Sequence, residues 1–264
     1  MDKFKVIFVL VVLALGLVCS SAYGQDQDTD DDKWQFEFTT YVWLAEPDFK
    51  GTMSGQTSDV KVDFKDIINN LDELDFLAFS GRIEAWKGDW GFFIDGQYMD
   101  ATYEDSETSP IGGIEIKMEV ADKTLDFGTS YKLYDVVILD RKLTLAPLGG
   151  VRYHYLKQES KINSIKLGGS EEWVEPFIGV QLKYDLSKNI YAGFMFDYGG
   201  FGIGSASDHT WNLEAGIGWK FSKKMSLKLG YKIYDIEYSR HSGNKEFGMD
   251  GQLQGPKIGL TIGF

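Results

Sequence analysis

The feature that most constrains this chain is a period-two alternation of apolar and polar residues, which recurs along most of its length. In residues 209–221 the apolar set is Trp211, Leu213, Ala215, Ile217, Trp219 and Phe221. A helix would mix the two sets on every face, so this segment is predicted to be a strand. Similar segments lie near 34–44, 76–87, 90–103, 114–134, 143–157, 174–186, 190–198, 209–221, 225–235 and 257–264.

The connections between these segments alternate in length. Tight turns are predicted at 87–89, 187–189 and 222–224, and longer polar loops near 46–73, 104–113, 158–172, 199–208 and 239–252. Short turns on one rim, long loops on the other and an even strand number are typical of bacterial outer-membrane barrels. We therefore predict an all-β fold: a single up-and-down antiparallel transmembrane β-barrel of about ten strands, with both ends in the periplasm.

The two faces of the predicted strands differ in charge. The more apolar set is predicted to be uncharged, although 25% of the chain is charged. We take this set as outward, toward lipid, since a charge there is costly at mid-membrane. The other set is predicted to form a near-neutral network of charges in the lumen, comprising Arg82, Glu84, Asp95, Asp126, Lys132, Arg152, Lys183, Asp197, Glu214, Lys228 and Lys232.

One segment departs from the strand pattern. Residues Asp63 to Leu71 place Phe64, Ile67 and Ile68 at helical spacing, and Asp63 is a suitable N-cap. We predict one short helix in the first long connection, either resting on the barrel rim or plugging the lumen.

The N-terminal region has the composition of an export signal. Lys3 and Lys5 precede an apolar run that ends near small residues, so 1–24 is predicted to be a signal peptide. Residues 25–33 are predicted to be an acidic disordered leader, and 34–264 the outer-membrane barrel domain. Cleavage would remove Cys19, the only cysteine, and with it any disulfide or thiolate metal site. The net charge of −13 argues against binding to nucleic acid.

Few residues suggest chemistry. Asp208 and His209 at a loop-strand junction, together with Asp197, are the nearest approach to a catalytic group, and solvated loop residues are the alternative. The acidic clusters 104–107 and 171–172 could bind a cation or form a solvated rim. The glycine-rich segment 199–204 lacks the lysine of a phosphate-binding loop. We predict no catalytic residue, no metal site and no cofactor.

Several segments carry a resemblance to a known family. They are 62–72 (VDFKDIINNLD), 84–91 (EAWKGDWG), 173–176 (WVEP), 184–187 (YDLS) and the stretch from Asp197 to Tyr231. With these the chain resembles a family of Gram-negative outer-membrane β-barrels of unassigned function. The resemblance implies fold and location, and no enzyme activity or cofactor. The terminal Phe264 is similar to the C-terminal aromatic residue that presents such barrels to their assembly machinery.

The sequence therefore predicts an outer-membrane protein that is not an enzyme and has a structural, small-solute channel or surface-interaction role. Its expected partners are outer-membrane lipids and the barrel assembly machinery, and any small solute or extracellular partner is undetermined. Two alternatives stay open: an outer-membrane enzyme with a catalytic site at the long-loop rim, and a soluble periplasmic ligand-binding barrel with its apolar face inside.

Overall fold

The computed structural model describes residues 33–53, 56–61, 75–105, 116–162, 165–242 and 245–264. The strands in these ranges are β1 (Gln35–Trp43), β2 (Glu46–Met53), β3 (Gln56–Lys61), β4 (Asp75–Lys87), β5 (Trp90–Asp105), β6 (Ile116–Tyr131), β7 (Tyr134–Ile138), β8 (Arg141–Ile162), β9 (Ile165–Asp185), β10 (Ile190–Gly199), β11 (His209–Lys220), β12 (Met225–Ser242) and β13 (Lys245–Gly263). No helix among the described residues is long and apolar enough to cross a bilayer.

Ten of the strands form a closed antiparallel barrel. Their order is β1-β4-β5-β6-β8-β9-β10-β11-β12-β13, and β13 pairs with β1 to close the ring. The prediction of an all-β, up-and-down barrel with about ten strands is confirmed. The predicted helix Asp63–Leu71 and the predicted signal peptide lie outside the described residues.

Three further strands extend the barrel beyond its ring. β2 continues the direction of β1 along the far half of β13, and β3 pairs with β2. At the opposite rim, β7 forms a short hairpin with the start of β8. The turn of that hairpin has positive φ at both Leu139 (51°) and Asp140 (59°), as a two-residue type I′ turn requires.

The prediction of long loops near 158–172 and 239–252 is wrong. These residues instead continue the paired strands β8–β9 and β12–β13 far past the rim, up to the pairs Ile162–Ile165 and Ser242–Lys245. The described wall is therefore tall on these sides. It is much lower where β10 ends at Gly199 and β11 begins at His209.

The outer surface of the ring carries an apolar belt. Outward side chains such as Ile94, Val174, Ile178, Ile217 and Leu229 are between 43% and 63% exposed. From Trp211 to Trp219 on β11 the belt spans nine residues, about 26 Å of strand. A tilt of about 40° reduces this to about 20 Å along the barrel axis, close to the ~25 Å band of membrane barrels.

The polarity of the two faces inverts above this belt, as β12 shows. Lower on the strand Lys232 is buried inside while Tyr231 faces outward and is 43% exposed. Higher up, Ile236 and Tyr238 are buried inside, and outward positions are polar, as at Glu237. The upper part thus has an apolar core and a water-facing exterior, like a soluble barrel. Its core comprises Ala45, Leu156, Trp173, Tyr234, Ile236, Tyr238, Phe247, Met249 and Leu253.

The prediction of an uncharged outward face holds within the belt and is wrong at its edges. Lys123 lies outward on β6, with its Nζ 5.4 Å from the ring centre of Tyr98 and 4.9 Å from that of Tyr155. Asp235 lies outward on β12 between the buried Tyr234 and Ile236. Charges are tolerated there because a long or edge-placed side chain reaches the headgroup region.

Candidate functional site

The barrel lumen is the candidate site, and Arg152 on β8 lies at its centre. The side chain is 2% exposed. Its Nε and Nη2 donate to the two oxygens of Asp126 at 2.9 Å each, and Nη2 also donates to Asp197 Oδ1 at 2.9 Å. The guanidinium lies 4.8 Å from the ring centre of Phe177. Arg152 therefore joins β6 to β10 across the lumen by charge-assisted hydrogen bonds.

A glycine makes the contact with Asp197 possible. Asp197 on β10 is directly paired with Gly179 on β9, the strand between it and Arg152. A Cβ atom on Gly179 would lie 2.7 Å from the Cβ of Asp197. Because β9 carries no side chain here, the carboxylate can reach past it. Asn212 Nδ2 donates to the other Asp197 oxygen at 3.0 Å.

A second cluster lies around Arg82 on β4. Its Nε donates to Glu84 Oε1 at 2.8 Å, and its Nη1 donates to Asp95 Oδ2 at 3.4 Å. The guanidinium stacks 4.0 Å from the ring centre of Phe93. Tyr41 Oη donates to the other oxygen of Asp95 at 2.7 Å. Both oxygens of Asp95 are thereby satisfied.

Two lysines lie in the lumen beside these clusters. Lys232 Nζ donates to Gln97 Oε1 at 2.9 Å and lies 4.7 Å from the ring centre of Trp43. Lys257 Nζ donates to Glu214 Oε2 at 2.6 Å. Lys257 also faces the lumen. The alternation of apolar and polar residues in 257–264 is sufficient to place Lys257 on the lumen side.

Three predicted members lie away from this centre, toward the turn rim. Lys228 Nζ donates to Thr39 Oγ1 at 3.4 Å, and Lys183 lies 4.6 Å from the ring centre of Tyr191. Lys132 follows the end of β6 and donates to the backbone oxygen of Gly88 at 2.9 Å. These lysines line the rim rather than join the central ion pairs.

Little space remains between the central side chains. The cavity there has a volume of about 10 Å³ and is lined by Arg82, Phe93, Asp95, Gln97, Asp126, Leu148, Phe177, Met195, Asp197, Asn212, Glu214 and Lys232. This is about the size that admits one water molecule. In the part of the chain that the structure describes, Asn212 Oδ1 is buried without a hydrogen-bond partner, and a water in this cavity would satisfy it.

A buried pair formed by His154 and Glu175 lies above this layer. His154 Nε2 is 3.1 Å from Glu175 Oε1, and Thr210 Oγ1 donates to the same oxygen at 2.6 Å. His154 is 2% exposed and Glu175 is fully buried. Their inward parity was visible in the sequence, but their pairing depends on the register between strands.

Side chains alone close the wall above the low connection between β10 and β11. We call this the β9–β12 seam, defined by Trp173 and Glu171 on β9 with Tyr238 and Arg240 on β12. The rings of Trp173 and Tyr238 stack at 3.9 Å and 14°, and Arg240 Nη1 donates to Glu171 Oε2 at 3.0 Å. Below them, Trp173 Nε1 donates to Ser207 Oγ at 2.9 Å.

The residues considered for catalysis do not come together. Asp197 is 2% exposed in the lumen. His209 faces outward, with Nε2 3.2 Å from Asp235 and Nδ1 3.2 Å from Glu237. Asp208 accepts a hydrogen bond from Ser239 at 2.9 Å. They are therefore three separate groups with different partners.

The acidic cluster 171–172, considered above as a cation site, is engaged in contacts with other side chains. Glu171 is paired with Arg240, and Glu172 accepts a hydrogen bond from Tyr153 at 2.8 Å. Among the described residues, no group of three or more His, Cys, Asp or Glu side chains is arranged to hold a metal ion. The cluster 104–107 extends beyond the described residues.

Comparison with known proteins finds similar solved structures. The outer membrane protease OmpT from Escherichia coli is 11% identical, with 88% of this chain and 97% of that chain covered and a TM-score of 0.49. The translocator domain of the autotransporter NalP from Neisseria meningitidis is 12% identical, with 99% and 97% covered and a TM-score of 0.46. No protein-family model matches the chain, and no curated protein matches it in sequence.

The position of the apolar belt settles which solvent surrounds the ring. A soluble barrel would hide the apolar set inside, whereas here it covers the exterior and the charges fill the lumen. A closed ring also leaves no unpaired strand edge within the belt, as a membrane span requires. The chain is a membrane-spanning β-barrel of the outer-membrane type, with a polar and filled lumen.

Proposed function

We propose that this protein is a closed outer-membrane scaffold whose long β-hairpins form a surface-interaction module outside the cell, rather than a diffusion channel. The observation that carries the proposal is that the lumen is filled at two levels. The Arg152 layer leaves a cavity of about 10 Å³, and the aromatic core around Trp173 and Tyr238 lies above it. A solute would have to break ion pairs and then cross an apolar plug.

The orientation follows from the two rims. The start of β1, the end of β13 and the short turns are at one rim, which is periplasmic in barrels of this kind. The hairpins β8–β9 and β12–β13 then project outside. Their outward side chains near the membrane are polar, for example Glu172 and Glu237, so this part is bathed in water and available to a partner.

Planar bilayer recording tests the closed state. We expect purified wild-type protein to insert without stepwise conductance in 1 M salt, under conditions in which a sixteen-stranded porin gives clear steps. Arg152→Ala removes a side chain from the charged layer only, and Trp173→Ala removes one from the aromatic core only. Each variant is expected to stay closed because the other layer still fills the lumen. Regular salt-dependent steps from the wild type would refute the proposal.

We infer further that the protein is not an enzyme. The inference is supported by the separation of Asp197, Asp208 and His209, each of which is bound to a different partner. Residual hydrolysis of a peptide or lipid substrate that disappears in His209→Ala, with Ser222→Ala as a surface control at the other rim, would contradict it.

We also propose that the C-terminal aromatic residue is recognised by the barrel assembly machinery. Phe264 is 54% exposed, its amide donates to Phe36 O at 3.0 Å, and the two rings stack at 5.8 Å. Phe264→Ala should lower the fraction of assembled, heat-modifiable protein in cells. Phe221→Ala, which removes another exposed aromatic at this rim, is the matched control and should not. Equal loss in both variants would argue against recognition.

A further inference from the structure

The connection between β10 and β11, residues 200–208, lies at the lowest point of the described outer wall. β10 ends at Gly199 and β11 begins at His209, while β9 and β12 continue upward to Ile165 and Ser242. The connection therefore lies close to the upper edge of the apolar belt, unlike the tall hairpins beside it.

This connection presents two apolar side chains to the exterior. Phe201 is 42% exposed and Ile203 is 63% exposed. The backbone holds them there: Gly202 N donates to Ser207 O at 3.0 Å, and Ala206 N donates to Ile203 O at 3.0 Å. Phe201 adopts a φ of 60°, which is unfavourable for a bulky residue. Its outward placement is thus maintained against its own backbone preference.

The other side of the connection is fastened to the protein. Ser207 is fully buried and Ala206 is 9% exposed. Ser207 Oγ accepts the hydrogen bond from Trp173 Nε1, and Gly200 N donates to Pro176 O at 3.2 Å. The segment is a compact unit with one side buried against the protein and one apolar side exposed.

Its apolar side is continuous with the belt. Tyr198, the last outward aromatic of β10, pairs with Trp211 on β11, and its ring centre is 5.4 Å from that of Phe201. Aromatic residues at this height mark the membrane–water interface. The first ionisable outward groups, His209 with Asp235 and Glu237, lie beside it, with the His209 ring centre 6.3 Å from that of Tyr198. The two apolar side chains are therefore at the boundary between acyl chains and headgroups.

We propose that Phe201 and Ile203 insert into the outer leaflet and make residues 200–208 a lipid anchor. The occupant is the lipid itself, because the exposed patch extends the lipid-facing belt without a break. With lipid holding one side and Trp173 the other, the anchor fixes the height of the low wall and supports the foot of the β9–β12 seam.

Site-directed spin labelling tests the anchor. Cys19, the only cysteine, lies in the predicted signal peptide, so single cysteines can be added to a cysteine-free mature chain. Ile203→Cys, Phe201→Cys and two references would each carry a nitroxide in vesicles of phosphatidylethanolamine and phosphatidylglycerol. The references are Ile217→Cys in the belt and Lys188→Cys in an exposed turn. Collision rates with oxygen and with a water-soluble nickel chelate report depth.

We expect labels at 201 and 203 to be more accessible to oxygen than to nickel, at a depth between the two references. Nickel accessibility equal to that at 188 would overturn the proposal, since the side chains would then be in water. Low accessibility to both reagents would also overturn it, because a second protein surface would then cover the patch.

A second measurement separates insertion from local distortion by the label. A nitroxide at Ser205→Cys, which is exposed on the same segment, would be compared with and without Phe201→Ser and Ile203→Ser. We expect the label to move toward water when both apolar groups are removed. The electrophoretic mobility of the folded, heat-modifiable barrel should stay unchanged, which shows that the fold is intact. An unchanged depth at 205 would contradict anchoring by these residues.

Discussion

Replacing Arg152 by methionine tests whether the lumen charges act as one unit. The substitution keeps an unbranched apolar stem but removes the three 2.9 Å hydrogen bonds to Asp126 and Asp197. These carboxylates have side chains that are 11% and 3% exposed, so they would be left buried without their counter-ion. Breaking a buried pair in this way costs about 3–5 kcal/mol. The unfolding equilibrium should shift by roughly two to three and a half orders of magnitude, at ~1.4 kcal/mol per tenfold.

The measurement is urea unfolding of the protein in vesicles, followed by tryptophan fluorescence. A triple variant, Arg152→Met with Asp126→Asn and Asp197→Asn, removes the charge on both sides and should recover most of the loss, because neutral replacements leave no uncompensated ion. Lys142→Met breaks the exposed pair with Asp135 at 2.9 Å and should cost less than about 1 kcal/mol. The reasoning fails if Arg152→Met is within about 1 kcal/mol of wild type, or if the triple variant is as unstable as the single one.

Other predictions concern the belt and the rim hairpin. Ile217→Lys puts a charge on the lipid face and should lower the free energy of unfolding by about 2–4 kcal/mol, measured by the same urea titration; a loss below ~0.5 kcal/mol would place this face in water. Leu139→Asn should stabilise the β7–β8 hairpin by about 1 kcal/mol, since the left-handed backbone suits asparagine better, and slower hydrogen exchange of its amides would show it. Partial burial raises the pKa of Asp135, but hydrogen bonds from Lys142 and Thr144 outweigh it and lower that pKa. Its contribution to the hairpin is present above the ordinary carboxyl pKa and is lost as pH falls through the lowered value; carboxyl NMR titration checks this, and Lys142→Ala should move the midpoint upward.

Much of the barrel could be predicted because a strand obliges adjacent side chains to face opposite ways. In segments such as 209–221 every second residue is apolar, and this pattern was sufficient to predict a strand of the ring. The same method stopped too early on β12, where the predicted segment ended at Asp235. At that height the exterior becomes water and the interior apolar, so Tyr234, Ile236 and Tyr238 continue the alternation with the two faces exchanged. If the apolar residues are expected on the same face throughout, the strand is predicted to end where the two faces exchange polarity.

The candidate site was predictable in composition but not in pairing. Parity alone indicated that Arg152 and Asp126 face the lumen, and register then places them directly opposite on β8 and β6. Asp197 is two strands away, and it reaches Arg152 because Gly179 leaves room. The contact between Trp173 and Tyr238 depends on the unequal heights of neighbouring strands. No local pattern contains that information.

The pairing of β1 with β13 has a consequence for how the protein reaches its final form. The hydroxyls of Thr39 and Thr261 are hydrogen-bonded at 2.8 Å across 222 residues of chain. Contacts of such long sequence separation form late and slowly. Until the last strand arrives, both β1 and its growing neighbours have an unsatisfied edge that could pair with other chains. The ring can therefore close only after the whole chain as far as β13 has reached the membrane, and until then these strand edges have to be kept from pairing with other chains.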